Sequence, residues 1–162
     1  MATWRRGNTE FSLVLEEAKL HAANLNSNDL PVVRVKVEAG PFNFEIPITD
    51  KDAADHDANN YFEHHIKLRR SESALQGQLL EVCQHHNAHL SRNAFRQVED
   101  GQEERFVTLR TYNAGRTTSS QQLERLLGAL RELNEQIIEY ESEYCVYDSN
   151  LDLDSGWLSH VS

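Results

Sequence analysis

Residues 61–69, Tyr-Phe-Glu-His-His-Ile-Lys-Leu-Arg, constrain the fold more than any other part of this chain. Side chains alternate along a strand, so Phe62, His64, Ile66 and Leu68 point to one side and Glu63, His65, Lys67 and Arg69 to the other. One face is suited to packing and the other to polar contacts. A segment of this kind reads as a central β-strand with helical cover on its apolar side.

The segments around it follow from periodicity. Phe11, Val14, Leu15, Ala18, Ala22 and Leu25 recur at helical spacing, which predicts an amphipathic helix over residues 10–25. Residues 31–38 alternate as a half-buried strand does and are stopped by Gly40-Pro41. Residues 42–48 read as a short extended piece. Residues 50–60, rich in Asp and Asn, read as an exposed linker. After the central strand, Ser73-x-x-Gln76 matches a capping box for a helix reaching about His86, with Leu75, Leu79, Val82 and Cys83 on one side. Residues 89–96 read as a strand, 99–102 as a hairpin turn and 105–110 as the partner strand. Ser119-x-x-Gln122 then predicts the cap of a helix carrying Leu123, Leu126, Leu127, Leu130 and Leu133, and 137–148 reads as the last strand.

From Tyr61 the order is therefore strand, helix, strand, strand, helix, strand. This is an α+β chain with a ferredoxin-like βαββαβ antiparallel sheet, helices on one face, and an N-terminal helix-strand extension. The expected division is 1–48 for the extension, 49–60 for the acidic linker and 61–158 for the ferredoxin-like domain. Loop, helix and strand in residues 3–38 echo those in 111–143, so the extension reads either as a degenerate half repeat completed by a partner or as a piece packed on the main sheet.

Composition narrows the function. Against 16 Lys+Arg stand 26 Asp+Glu, a formal net charge of −10, which disfavours nucleic acid and anionic membrane as partners. No apolar run is long enough for a membrane span and residues 1–8 hold no secretory apolar core, so a cytoplasmic protein is expected. Cys83 and Cys145 stand alone in sequence, as in a reducing compartment.

The uncovered sheet face is the candidate site. Glu63, His65 and Lys67 belong to it, with Thr108, Arg110, Glu141 and Glu143 from neighbouring strands. An imidazole between a carboxylate and cations suits a small anionic ligand, or an enzyme acting on a phosphorylated or carboxylated molecule with His65 as acid-base and Lys67 with Arg110 as an anion clamp. The same face also suits a homo-oligomer or another protein partner. The arginines of the middle of the chain either bind such a ligand or pair with the acidic last strand, which holds no Lys or Arg. No metal and no cofactor is expected. His64 and His65 point to opposite faces, His85 and His89 share a face only if the helix continues to His89, and no metal motif is completed. Residues 148–156 place Leu153 where a calcium loop needs Gly, so they read as a turn-rich tail with Trp157 and Leu158 as an apolar anchor.

The blocks Tyr61 to Leu68, His89-Leu90-Ser91-Arg92-Asn93-Ala94, Arg105-Phe106-Val107-Thr108 and Tyr147-Asp148-Ser149-Asn150 with Asp154-x-Gly156-Trp157 resemble a family of uncharacterised, mostly bacterial proteins. That resemblance implies one domain over residues 32–158 and carries no activity or catalytic residue. Glu63-x-His65-x-Lys67 also resembles the E-x-E-x-K strand with which the CYTH, or triphosphate-tunnel, group gathers phosphate and metal. Here His65 replaces the second Glu, which argues against a metal.

Overall fold

The computed structural model of this 162-residue chain describes residues 2–7, 9–71, 76–91, 96–98 and 102–154. In chain order the elements are α1 (Phe11–Ser27), β1 (Lys36–Ala39), α2 (Asp50–Ala53), β2 (Tyr61–Ser71), α3 (Gln76–His85), β3 (Ala88–Leu90), β4 (Arg96–Val98), β5 (Gln102–Tyr112), α4 (Arg116–Glu132) and β6 (Gln136–Asp148), followed by a 3-10 turn at Leu151–Asp154. The strands form one antiparallel sheet in the order β1-β6-β2-β5-β3, and β4 pairs with β5 farther along. The architecture is mixed α+β.

β2 is interior, as its alternation predicts. It pairs along its whole length with β5 on one side and from Tyr61 to Arg69 with β6 on the other. Its apolar side faces the helices: Ile66 and Leu68 pack with Val107 and Leu109 of β5, Leu79 and Cys83 of α3, and Leu123, Leu126, Leu127 and Leu130 of α4. A second cluster joins Phe62 with Ala39, Ile46 and Tyr144, and Phe11 of α1 lies against it. Each fully buried aliphatic side chain contributes about 1.5–3 kcal/mol, so this sheet-helix layer is the main source of stability. Among the described residues no helix packs on the opposite face.

Several boundaries differ from expectation for identifiable reasons. Of the expected strand 31–38 only the end enters the ladder, in β1 (Lys36–Ala39). Upstream, the main-chain bond from Ser149 N–H to the Val35 carbonyl remains, and side chains hold the rest, Val32 N–H donating to Asn26 and Val35 N–H to Ser149 Oγ. Residues 42–48 form turns between Pro41 and Pro47. The expected linker contains α2, closed by a capping box in which Thr49 and Asp52 bond each other's backbone, with Ala53 buried. Asp50 and Asp52 favour this helical first turn, where carboxylates complement the helix dipole. α4 begins at Arg116 with Gly115 as N-cap, so Ser119 and Gln122 are not its cap. α3 ends at His85 and His89 lies in β3, which separates those two imidazoles. The expected cap at Ser73, the turn at 99–101, the stretch 92–95 and the anchor at Trp157 and Leu158 fall outside the described residues.

Candidate functional site

The helix-free face is a lattice of long polar side chains, and Glu63 is at its centre. The register places Glu63 opposite Arg110 on β5 and Glu143 on β6, and His65 opposite Thr108 and Glu141. Glu63 is only 1% exposed, although an uncovered face was expected to leave it in solvent. Neighbouring side chains bury it: Arg110 Nε donates to Oε1 at 2.5 Å, Lys36 Nζ donates to Oε2, and His65 Nε2 is 3.3 Å from Oε2. Burial alone would raise its pKa, but His65, Lys36 and Arg110 outweigh that and hold the carboxyl well below the ordinary range. Burial likewise works against the Lys36 charge, and Glu63 with Glu38 keeps its pKa above the usual lysine value.

Tyr61 extends this cluster. Its hydroxyl donates to Asp148 Oδ2 at 3.0 Å, Arg110 lies 5.0 Å from its ring centroid, and burial pushes its pKa up. Asp148 in turn accepts from Arg34 Nε at 2.9 Å and from the Asn150 backbone. Cys145 belongs to this face, opposite Tyr61, and is buried, with its thiol pushed up to about 11 by burial. Lys36, Tyr61, Arg34 and Asp148 were not among the expected site residues. Lys36 reaches the site through β1, whose place beside β6 is a tertiary choice.

The expected residues thus divide into two groups. Glu63, His65, Thr108 and Arg110 are in contact, whereas Lys67 belongs to a separate cluster with Glu104 at 3.5 Å and Glu139 at 3.1 Å. Arg69 donates to Glu104 in the same cluster. Lys67 and Arg110 therefore do not form one clamp, because each already faces carboxylates. Arg110 pairs with Glu63 of the central strand, and Arg105 bonds Glu103 of its own strand at 2.5 Å. His65 is committed on both nitrogens, Nδ1 to Thr108 Oγ1 at 3.2 Å and Nε2 to Glu63. Proton transfer by His65 would first require release of Thr108 or Glu63.

Solvent meets several carboxylates on this face, beside the partly exposed His65, Arg69 and Tyr112. Glu38 and Glu141 are exposed, as is Glu139, whose side chain is 59% exposed. Glu143 is half-buried; burial first and the adjacent Glu38 second raise its pKa, against the lowering effect of Lys36 and His65.

On the helical side, His64 is 2% exposed. Its Nε2 lies 2.7 Å from Ser119 Oγ and its Nδ1 2.8 Å from Ser142 Oγ. Burial lowers its pKa to about 4, with the neighbouring His65 adding to the effect. The alternation places His64 inside, but the hydroxyls that satisfy it come from α4 and β6. A groove of about 560 Å³ between α3 and α4, lined by residues including Gln78, Glu81, His85, His86 and Glu132, lies on this side and not beside His65. Among the described residues no three His, Cys, Asp or Glu side chains converge as metal ligands, and no helix is long and apolar enough to cross a membrane.

No protein-family model matches the chain, and no curated protein and no solved structure shows a match to it.

Proposed function

We propose that this chain is a binding domain whose helix-free sheet face receives a cationic surface of a protein partner. One observation carries the reading: Lys36, Lys67, Arg69 and Arg110 each face one or two of the carboxylates Glu38, Glu63, Glu104 and Glu139, while Glu141 is exposed and Glu38 and Glu139 keep an exposed side. A small anion would have to displace an internal carboxylate to reach these cations. A cationic partner would instead relieve the repulsion between Glu38 and Glu143. The net charge of −10 adds long-range attraction of the same sign.

The same reading takes β2 to β6 as a ferredoxin-like βαββαβ unit. The order β6-β2-β5-β3, with α3 and α4 as the two crossover helices, supports it, and β1 beside β6 is an addition to it.

The test is titration with a fluorescent oligolysine peptide at low and moderate salt. Removing three rim charges in Glu139→Gln/Glu141→Gln/Glu143→Gln is expected to weaken binding about tenfold, since each contributes roughly 0.5 kcal/mol. The control Glu16→Gln/Glu81→Gln/Glu124→Gln alters net charge equally at exposed helix positions and should leave affinity within about twofold. Equal losses in the two triples would reduce the effect to net charge. Stabilisation by phosphorylated metabolites, together with no peptide binding, would replace the proposal with the anionic-ligand reading.

A further inference from the structure

β1 has a neighbour on one side only, and among the described residues no strand pairs with its other side. The orientation of its backbone follows from Val35, whose carbonyl accepts from Ser149 N–H at 2.9 Å and whose N–H donates to Ser149 Oγ. Main-chain groups alternate in direction along a strand, so Val37 and Ala39 also turn toward β6. Lys36 and Glu38 therefore turn their N–H and C=O groups outward. Unpaired outward groups of this kind are a template for another strand.

A second copy of the same edge fits it in few ways. Two antiparallel copies related by a two-fold axis bring outward residues together only when the axis passes through a residue position. An axis at Lys36 opposes two lysines, and an axis at Glu38 opposes two glutamates. With the axis at Val37, Lys36 of each copy faces Glu38 of the other, and those pairs exchange main-chain hydrogen bonds. Opposite charges facing each other stabilise a sheet, while like charges destabilise it. Within each chain Lys36 already bridges Glu38 and Glu63; the Val37 register adds the other copy's Glu38 to that set where the other two set like charges together, and it is self-complementary as a two-fold interface requires.

A four-residue strand is too small to hold two chains together, since a specific interface buries about 800 Å² per partner. The flanks of β1 supply the remainder. Antiparallel pairing sets the segment before β1 in one copy beside the segment after β1 in the other. Before it stand Leu30 and Val33, 58% and 69% exposed; after it stand Phe42 and Phe44, 84% and 71% exposed. α1 contacts β1 on the helical side, contains no buried residue, and leaves Leu13 and Leu20 exposed. The two-fold axis brings this helix toward its own copy. We propose that a second copy of this chain pairs with it along β1, in antiparallel register about Val37, joining the two sheets into one. Glu38 belongs to both surfaces, but the cationic partner would meet the sheet face and a second copy its edge, so Glu139→Gln/Glu141→Gln/Glu143→Gln tests the first without altering β1.

The test is mass in solution combined with cross-linking. Wild type should run at twice its 18.6 kDa by light scattering at about 100 μM. Glu38→Lys, at an exposed position, sets lysine against lysine and should return the mass to one chain with the far-UV circular dichroism unchanged. Val37→Cys places two thiols at a non-hydrogen-bonded pair about 4.5 Å apart at Cα, which a disulfide spans. Oxidation should lock that variant as a dimer, whereas Ser120→Cys on the exposed side of α4 should not cross-link. A single-chain mass for wild type overturns the proposal. So does a dimer that Glu38→Lys leaves intact, or one that Val37→Cys fails to lock.

Discussion

His64 shows how a residue's chemistry is set by its neighbours. It belongs to the alternating apolar row of β2, but its ring is polar, and burial without partners would cost about 1–3 kcal/mol. Ser119 and Ser142 supply those partners. A neutral ring with one N–H and one lone pair suits two hydroxyls, each able to donate or accept. Its pKa of about 4 in the fold lies below the ordinary 6.5, so between those values the unfolded chain binds the extra proton. Its contribution to stability is complete above pH 6.5 and is lost as the pH falls toward 4. Urea unfolding of wild type from pH 7 to 4.5 should therefore show a loss from this residue approaching about 1.4 kcal/mol per pH unit in the middle of that window. His64→Gln should be less stable at pH 7 but should lack that portion of the slope. Parallel slopes for the two proteins would rule out titration of His64 as the cause.

At the scale of elements, α4 shows how a helix is placed. Its N-terminus docks on the loop before α2, where Arg116 and Thr117 donate backbone bonds to Pro47 and Ile48. Gly115, the N-cap, has φ −81 and needs no left-handed backbone. It needs space, because a Cβ there would lie 2.6 Å from the Ile48 carbonyl. Gly128 is within the same helix with open space around it. The same substitution should therefore have opposite signs at the two sites. Gly115→Ala is expected to destabilise by about 1–3 kcal/mol and Gly128→Ala to stabilise by about 0.5–1 kcal/mol, both read from thermal unfolding. The helix ends share a second device: Asp29, Asn87 and Asn134 adopt positive φ just after α1, α3 and α4. Asn and Asp tolerate that region better than other non-glycine residues. These stops are present in the sequence as plainly as the leucine periodicity.

For the whole molecule, the two cysteines report on opposite sides of the sheet. Cys83 lies in the helix-sheet core and Cys145 under the polar lattice; both are free and buried, and burial pushes the Cys83 thiol up to about 12. A thiol without solvent access and with little thiolate reacts slowly. Labelling by an aromatic disulfide reagent should therefore be negligible in the native protein and should follow global unfolding in urea, with both thiols appearing together. Rapid labelling of one thiol without denaturant would mean that its side of the sheet opens independently.

Periodicity by itself marked β2, α3, β5, α4 and β6 and which residues of β2 face the helices, because burial on one face imposes a repeat that the sequence must carry, although the single strand expected over 89–96 is β3 and β4 among the described residues. It did not mark α2, the true start of α4, or the burial of Glu63, for these depend on groups distant in the chain: the Thr49 and Asp52 cap, the Pro47 and Ile48 carbonyls, and Lys36 with Arg110. The polar face was legible as a list of residues, but its division into separate ion-pair clusters was not. Which carboxylate neutralises which cation depends on strand register and on β1 lying beside β6, and pairwise electrostatics at a few ångströms is decided only when the sheet is assembled.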